Sequence, residues 1–349
     1  MRNLKTTYFE DLQLFKDGMH LFWSAALIIA LFTLPFFVKT YYLTILNLMA
    51  VNVIVALGLN LLVGNTGQIS LGHAGFVAIG AYTTVLLLKL GVPFLFAFVA
   101  AGLVSALFGI LLGIPSLKLE GPYLAIATLA FGLAVTTLIG RMDFLGGRMG
   151  MNVPKLQVGW TGLKYDHSLY YIILSVTILA VIAIRNILRS RIGRAFQAIR
   201  DSDIAAAAIG IHLTRYKLYS FGLSALFAGA AGSLWALYLG FINPTLFSFI
   251  LSINFLVIIV LGGLGSITGS IMGAVVLTYL NLQLENVVDI PLLGAALFKF
   301  SEVFMTTTGI SNVSWVLTGF ILILVVLYEP LGLYGLWIRT KIYWKRWPF

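Results

Sequence analysis

Ser70 and His73 stand three residues apart inside the run GNTGQISLGHAGFVAIGAY, residues 64–82. On a helix that spacing puts a hydroxyl and an imidazole on one face, the arrangement of a nucleophile and its general base. A working pair needs a third group to orient the base, and His73 is the only histidine or charged residue between positions 64 and 88. The pair therefore does not read as catalytic, and no catalytic residue is assigned. Two readings of His73 stay open: a group that titrates or meets a solute carboxylate, and a satisfied polar residue near a helix start. No Asp or Glu lies in the middle of an apolar stretch; Glu120 and Glu329 fall at the ends. Proton-coupled carriers usually need a buried acid relay, so an ion-coupled secondary transporter is disfavoured, with sodium coupling through neutral oxygens left open. The chain has no G-x-x-x-x-G-K-[ST] phosphate loop and no cysteine. ATP is not bound in that way, and disulfides, thiolate metal sites and cysteine nucleophiles are excluded. No metal site and no cofactor are expected on this chain.

The elements holding these residues are rich in glycine. Gly64, Gly67, Gly72, Gly75 and Gly80 are interleaved with Asn65, Gln68, Ser70 and His73. Polar groups at membrane depth are expensive and face a cavity or another helix, and broken backbone is tolerated there only under protein or water. One reading makes this a discontinuous element lining a translocation path, with Gly67, Gln68, Ser70, Gly72, His73 and Gly75 as its residues. The other makes the small residues contacts for close helix packing and the polar start an ordinary loop. A second run, LGGLGSITGSIMGA at 261–274, reads more readily as close packing with a tight turn. The two runs do not occupy corresponding places in a five-plus-five scheme, so no internal repeat is assigned. Asn47, Asn52 and Asn60 are expected to bond between helices.

Of the 349 residues, 60% are hydrophobic and 10% are charged, against about 25% charged in soluble domains. Lipid must be the solvent, and the expected fold is all-α, a polytopic transmembrane helical bundle forming a single domain over 1–349. About 20 apolar residues cross the hydrocarbon core as a helix. Ten spans are expected (range 8–11), at 21–38, 42–63, 71–90, 93–114, 123–140, 168–188, 218–241, 249–264, 268–284 and 311–328. The N-terminus does not read as a cleaved signal.

The longest polar interruption is RNILRSRIGRAFQAIRDSDIAAAAIGIHLTRYK, residues 185–217, with seven basic residues and two acids. Positive-inside bias makes it cytoplasmic, together with the tail carrying Arg339, Lys341, Lys345 and Arg346. Four spans lie between them and six precede the break, which places both termini inside: 1–20, 188–217 and 334–349 are cytoplasmic. The loop at 141–167 then falls outside although it holds four bases and two acids, mildly against the rule. Segment 291–308 could lie on the outer surface as an amphipathic helix. The +10 formal charge follows this bias and is not a nucleic-acid signature. Within the break, Asp201 and Asp203 suit a helix N-terminus, and Ala205 to Ala208 would form a smooth surface able to enter a partner's groove.

Five segments, GQISLGHAGFVAIGAYTT (67–84), GPYLAIATLAFGL (121–133), GRAFQAIRDSDIAAAAIGI (193–211), YKLYSFGLSALFAGAAGSLWA (216–236) and VIIVLGGLGSITGSIMGA (257–274), resemble in order and spacing the membrane permeases of branched-chain amino acid ABC importers. The resemblance runs from about 42 to 333 and is to the longer, M-type permease. It implies a permease subunit of a bacterial-type inner membrane. The implied partners are a paralogous permease, two cytoplasmic ATP-binding subunits that carry ATP and Mg, and an extracytoplasmic solute-binding protein. It implies that residues 194–211 dock on an ATPase, which marks Arg194, Arg200, Asp201, Asp203, Ala205, Ala206 and Gly210 for coupling. Where family members often carry Glu and a second acid, this chain has Asp203 and Ala207. Related permeases carry urea or short amides, so the resemblance leaves the solute open.

Overall fold

A computed structural model describes residues 18–117, 119, 121–156, 165–287 and 331–346, with a few positions between 319 and 329. The helices in order are α1 (Gly18–Thr33), α2 (Thr40–Thr66), α3 (His73–Lys89), α4 (Phe94–Ser116), α5 (Pro122–Arg141), α6 (Tyr165–Arg189), α7 (Arg191–Asp201), α8 (Asp203–Ala208), α9 (Leu213–Leu239), α10 (Phe249–Gly262), α11 (Ile267–Val287) and α12 (Gly332–Arg346). The chain is a multi-pass helical membrane protein. Helices α2, α4, α5, α6 and α9 are each long and apolar enough to cross a bilayer.

Three expected spans are shorter than foreseen: for 21–38, α1 stops at Thr33 and gives way to a 3₁₀ turn, Leu34–Phe36. The stretch at 71–90 becomes helical only at His73, and 249–264 ends at Gly262. At 1.5 Å per residue α3 and α10 are about 26 and 21 Å long, less than the roughly 30 Å hydrocarbon core. Before each of these two the chain is not α-helical: the stretch 67–72 precedes α3, and a 3₁₀ turn ending in the buried Phe247 precedes α10. The expected span at 311–328 and the segment at 291–308 lie largely or wholly outside the described residues, as do residues 1–17.

Helices α2 and α9 form the buried centre, while α4, α5 and α6 leave most of their surface exposed. Lipid is as apolar as the interior, so helices gain by close approach rather than by hiding apolar area. At the α3–α9 crossing a Cβ on Gly80 would fall 2.2 Å from the Gly229 carbonyl, and one on Gly232 would fall 2.0 Å from that of Val77. Larger residues would force the helices apart.

The two ends of the bundle are built differently. At one end α6 and α9 are joined through α7 and α8. At the other, β1 (Met151–Asn152) pairs antiparallel with β2 (Phe241–Ile242), Met151 opposite Ile242, and Val153 N–H bonds the Gly240 carbonyl at 2.9 Å. The loop ahead of α6 and the exit of α9 are thus tied together there. Among the described residues this ladder is the one departure from an all-helical chain.

Candidate functional site

Helix α2 ends because Gly67 adopts φ +76°, a left-handed value that suits glycine. The N–H groups of Gly67 and Gln68 close back on the carbonyls of Val63 and Leu62, both at 3.1 Å. From there the chain is non-helical as far as His73 and held at few points. Leu71 N–H donates to Thr128 Oγ1 at 2.9 Å, and Ala74 N–H donates to Ser252 Oγ at 3.0 Å. A Cβ on Gly72 would lie 1.8 Å from the Thr128 carbonyl, and one on Gly75 would lie 3.1 Å from the Gly132 Cα. Thr128 and Gly132 belong to the middle of α5, so His73 starts α3 at mid-bundle rather than at an end.

On this stretch Gln68, Ser70 and His73 are buried, the last two completely. Both side-chain polar atoms of Gln68, Ser70 Oγ and both ring nitrogens of His73 lack hydrogen-bond partners. The polar side chains just before them are satisfied: Asn65 Nδ2 donates to Asn60 O at 3.1 Å and Thr66 Oγ1 to Leu61 O at 3.0 Å. An unmade buried hydrogen bond costs about 1–3 kcal/mol, and a concentration of them calls for a functional explanation. Ser70 and His73 do not bond each other, so they form no nucleophile–base pair. His73 instead meets Phe76 edge-on at 5.8 Å. Gly72 and Gly75 let the stretch pass close to α5. Gly67 belongs elsewhere: it is exposed, and a Cβ there would lie 3.8 Å from the Arg200 Cα.

The second glycine run is a packing surface and a turn. A Cβ on Gly273 would fall 2.2 Å from the Ile258 carbonyl. Asn60 of α2 pins the turn, accepting from Gly265 N–H at 2.8 Å and donating to Ser266 O at 3.1 Å. Asn52 Nδ2 donates to Thr278 Oγ1 at 2.8 Å. The expected interhelical bond is made by Asn52; Asn60 bonds the turn between two helices instead, and Asn47 Oδ1 has no partner.

At the α7–α8 end the short alanine helix is separate from a longer helix just before it. Ser190 caps α7, accepting from Ile192 N–H at 3.2 Å, and Ser202 caps α8, accepting from Ala205 N–H at 3.2 Å. Asp201 therefore closes α7 instead of opening α8; Asp203 is the acid in the first turn. Helix α7 buries Ala195, Phe196 and Ile199, with Phe196 edge-on to Tyr216 of α9 at 6.4 Å. Asp203 Oδ2 takes Lys217 Nζ at 2.6 Å, fastening α8 to the start of α9. Arg194 is exposed and donates to the Arg189 carbonyl at 3.1 Å. Arg200 spans Gly67 and the Gly265 turn, which brings α7 against both glycine breaks.

The alanine surface is not uniform. Ala206 is 1% exposed and faces inward, contrary to its expected place on a docking face. Ala205 and Gly210 remain exposed. The most prominent groups are Ile204 at 85% and Ile209 at 74% exposure, which sequence reasoning missed. Their signal was available: they are the large apolar residues flanking the alanine run.

The family profile described as the permease component of branched-chain amino acid transport systems matches residues 41–326. The high-affinity branched-chain amino acid transport system permease protein LivM of Salmonella typhimurium is 41% identical over 283 residues, 74% of this chain and 66% of that protein. LivM of Escherichia coli is 40% identical over the same length and shares. The corresponding LivH permease of Salmonella typhimurium is 28% identical over 268 residues, 69% of this chain and 86% of LivH. The chain thus spans slightly less than two thirds of the length of these LivM proteins. No solved structure matches it.

Proposed function

The chain belongs to the permease-component family of branched-chain amino acid transport systems, and from that premise we propose that it is one membrane subunit of an ATP-driven importer of branched-chain or similar hydrophobic amino acids. The observation that carries the proposal is α8: a capped helix presenting Ile204 and Ile209, with Asp203 bonded to Lys217 of α9. Two large apolar side chains exposed on so short and polar a segment suit a contact with another protein. A push on α8 would pass through the Asp203–Lys217 pair into α9, the central helix, and through Arg200 to the two glycine breaks. Gln68, Ser70 and His73 would be the polar groups that a passing solute meets. This arrangement suits alternating access powered by two cytoplasmic ATP-binding subunits, which hold ATP and Mg. A paralogous permease would complete the path, and an extracytoplasmic binding protein would deliver the solute. The related LivM and LivH permeases, both similar to this chain, support such pairing. In this reading the α7–α8 end faces the cytoplasm of a bacterial-type inner membrane, the ten-span topology with both termini inside holds, and the whole chain is one permease domain with no catalytic role and no nucleic-acid partner.

The test is reconstitution of this chain with both ATPases, the second permease and the binding protein in liposomes. ATP-dependent uptake of labelled leucine is expected. Uptake of urea or acetamide instead would move the chain to a different solute class. Gradient-driven uptake by this chain alone would overturn the subunit assignment.

A further inference from the structure

Phe247 closes a short 3₁₀ turn, Pro244–Phe247, in the connection between α9 and α10, yet it is only 2% exposed. The turn is firmly built. Strand β2 ties its start to β1, and Asn243 Oδ1 accepts from Leu246 N–H at 3.1 Å and from Thr245 Oγ1 at 2.8 Å. Its last ring points into the bundle. Phe247 lies between Tyr82 of α3, with centroids 6.1 Å apart, and Trp235 of α9, at 5.7 Å. Trp235 in turn stands edge-on to Phe255 of α10 at 6.3 Å. Phe247 also lines a narrow crevice with Ala74, Gly75, Gly132, Leu133 and Ser252. That crevice opens on the first turn of α3, next to His73. One aromatic side chain thus borders the crevice at the first turn of α3 and packs on the aromatic walls toward the β1–β2 end.

Those walls have unused bonding capacity. Tyr82 is 3% exposed and its hydroxyl has no partner; the Trp235 indole N–H has none either. Buried tyrosine and tryptophan normally satisfy these groups. A phenyl ring can fill the slot between them but can bond neither.

We propose that Phe247 is a displaceable plug, and that the slot between Tyr82 and Trp235 is a solute site. When Phe247 withdraws, the slot takes the apolar side chain of an amino acid, and the Tyr82 hydroxyl and Trp235 N–H donate to its carboxylate. Aromatic walls with a few placed donors are the usual make-up of a small-molecule site. The inference rests on the permease reading above and adds to it where the solute sits and what holds the outer door.

The chain has no cysteine, so an introduced thiol in it is a unique probe. In the complete reconstituted complex, Tyr82→Cys is exposed to a charged methanethiosulfonate reagent added from the binding-protein side. Reaction should be slow at rest, roughly tenfold or more faster during ATP turnover, and slowed again by leucine. Equal rates in all states, or no reaction in any, would overturn the inference. Tyr82→Phe keeps the ring and removes the hydroxyl; it should raise the leucine KM about threefold to tenfold with kcat unchanged. An unchanged KM would contradict the assigned role of the hydroxyl. A wild-type complex that takes up no leucine would sink the permease reading and this inference with it. Normal leucine uptake with an inert Tyr82→Cys sinks the inference alone.

Discussion

Asn60 illustrates how a polar side chain is used inside this bundle. Its amide oxygen and nitrogen are both spent on the turn at Gly265 and Ser266, about two hundred residues away in sequence. Replacing it by leucine removes both bonds and leaves a backbone N–H and carbonyl to find new partners. Asn60→Leu should therefore destabilise the folded protein by about 1–3 kcal/mol, seen as a lower thermal midpoint in detergent; an unchanged midpoint would show that the turn is held by other means. Gln68, Ser70 and His73 make the contrast, since their side chains have no hydrogen-bond partner. Their polarity was legible in the sequence because polar groups at membrane depth stand out. Their lack of partners was not, because it depends on where α5 and α10 pass. The inward turn of Ala206 was equally hidden: four consecutive alanines carry no periodic signal to tell one face from another.

Among the elements, α8 is short and exposed, and its position depends on few contacts. Ser202 satisfies its first turn, and the Asp203–Lys217 pair holds it to α9. An ion pair of this partly exposed kind contributes about 1 kcal/mol, enough to change the population of the seated helix roughly fivefold. Asp203→Lys should lower leucine uptake severalfold while the protein still inserts, and adding Lys217→Asp should restore part of it. If the double variant is no better than the single one, the pair does not seat α8. The sequence reading located this segment through its charge break and capped alanines. Which aspartate opens α8 was not legible, because Asp201 and Asp203 both suit a helix start and only Asp203 stands in one. The ends of α3 and α10 were also obscured: Leu71 before α3, Leu90 after it and Leu264 after α10 are apolar, so hydropathy alone extends both helices by a few residues.

For the whole molecule, the helical membrane class could be read directly, since apolar runs of about 20 residues are the length of a crossing helix. The packing could not, because every face of such a helix is apolar and lipid competes equally with protein for it. What the fold adds is a distinction between ends: a helical pair with exposed isoleucines at one, and a β-tied rim with the Phe247 turn at the other. On the proposed function, α8 receives the work of ATP hydrolysis done on another chain. The most direct test compares leucine transported per ATP hydrolysed for the reconstituted complex carrying wild-type chain or Ile204→Glu with Ile209→Glu. A charge at each of these apolar contacts should lower that ratio at least tenfold while the chain still inserts and pairs with its sister permease. A ratio equal to wild type would contradict the claim.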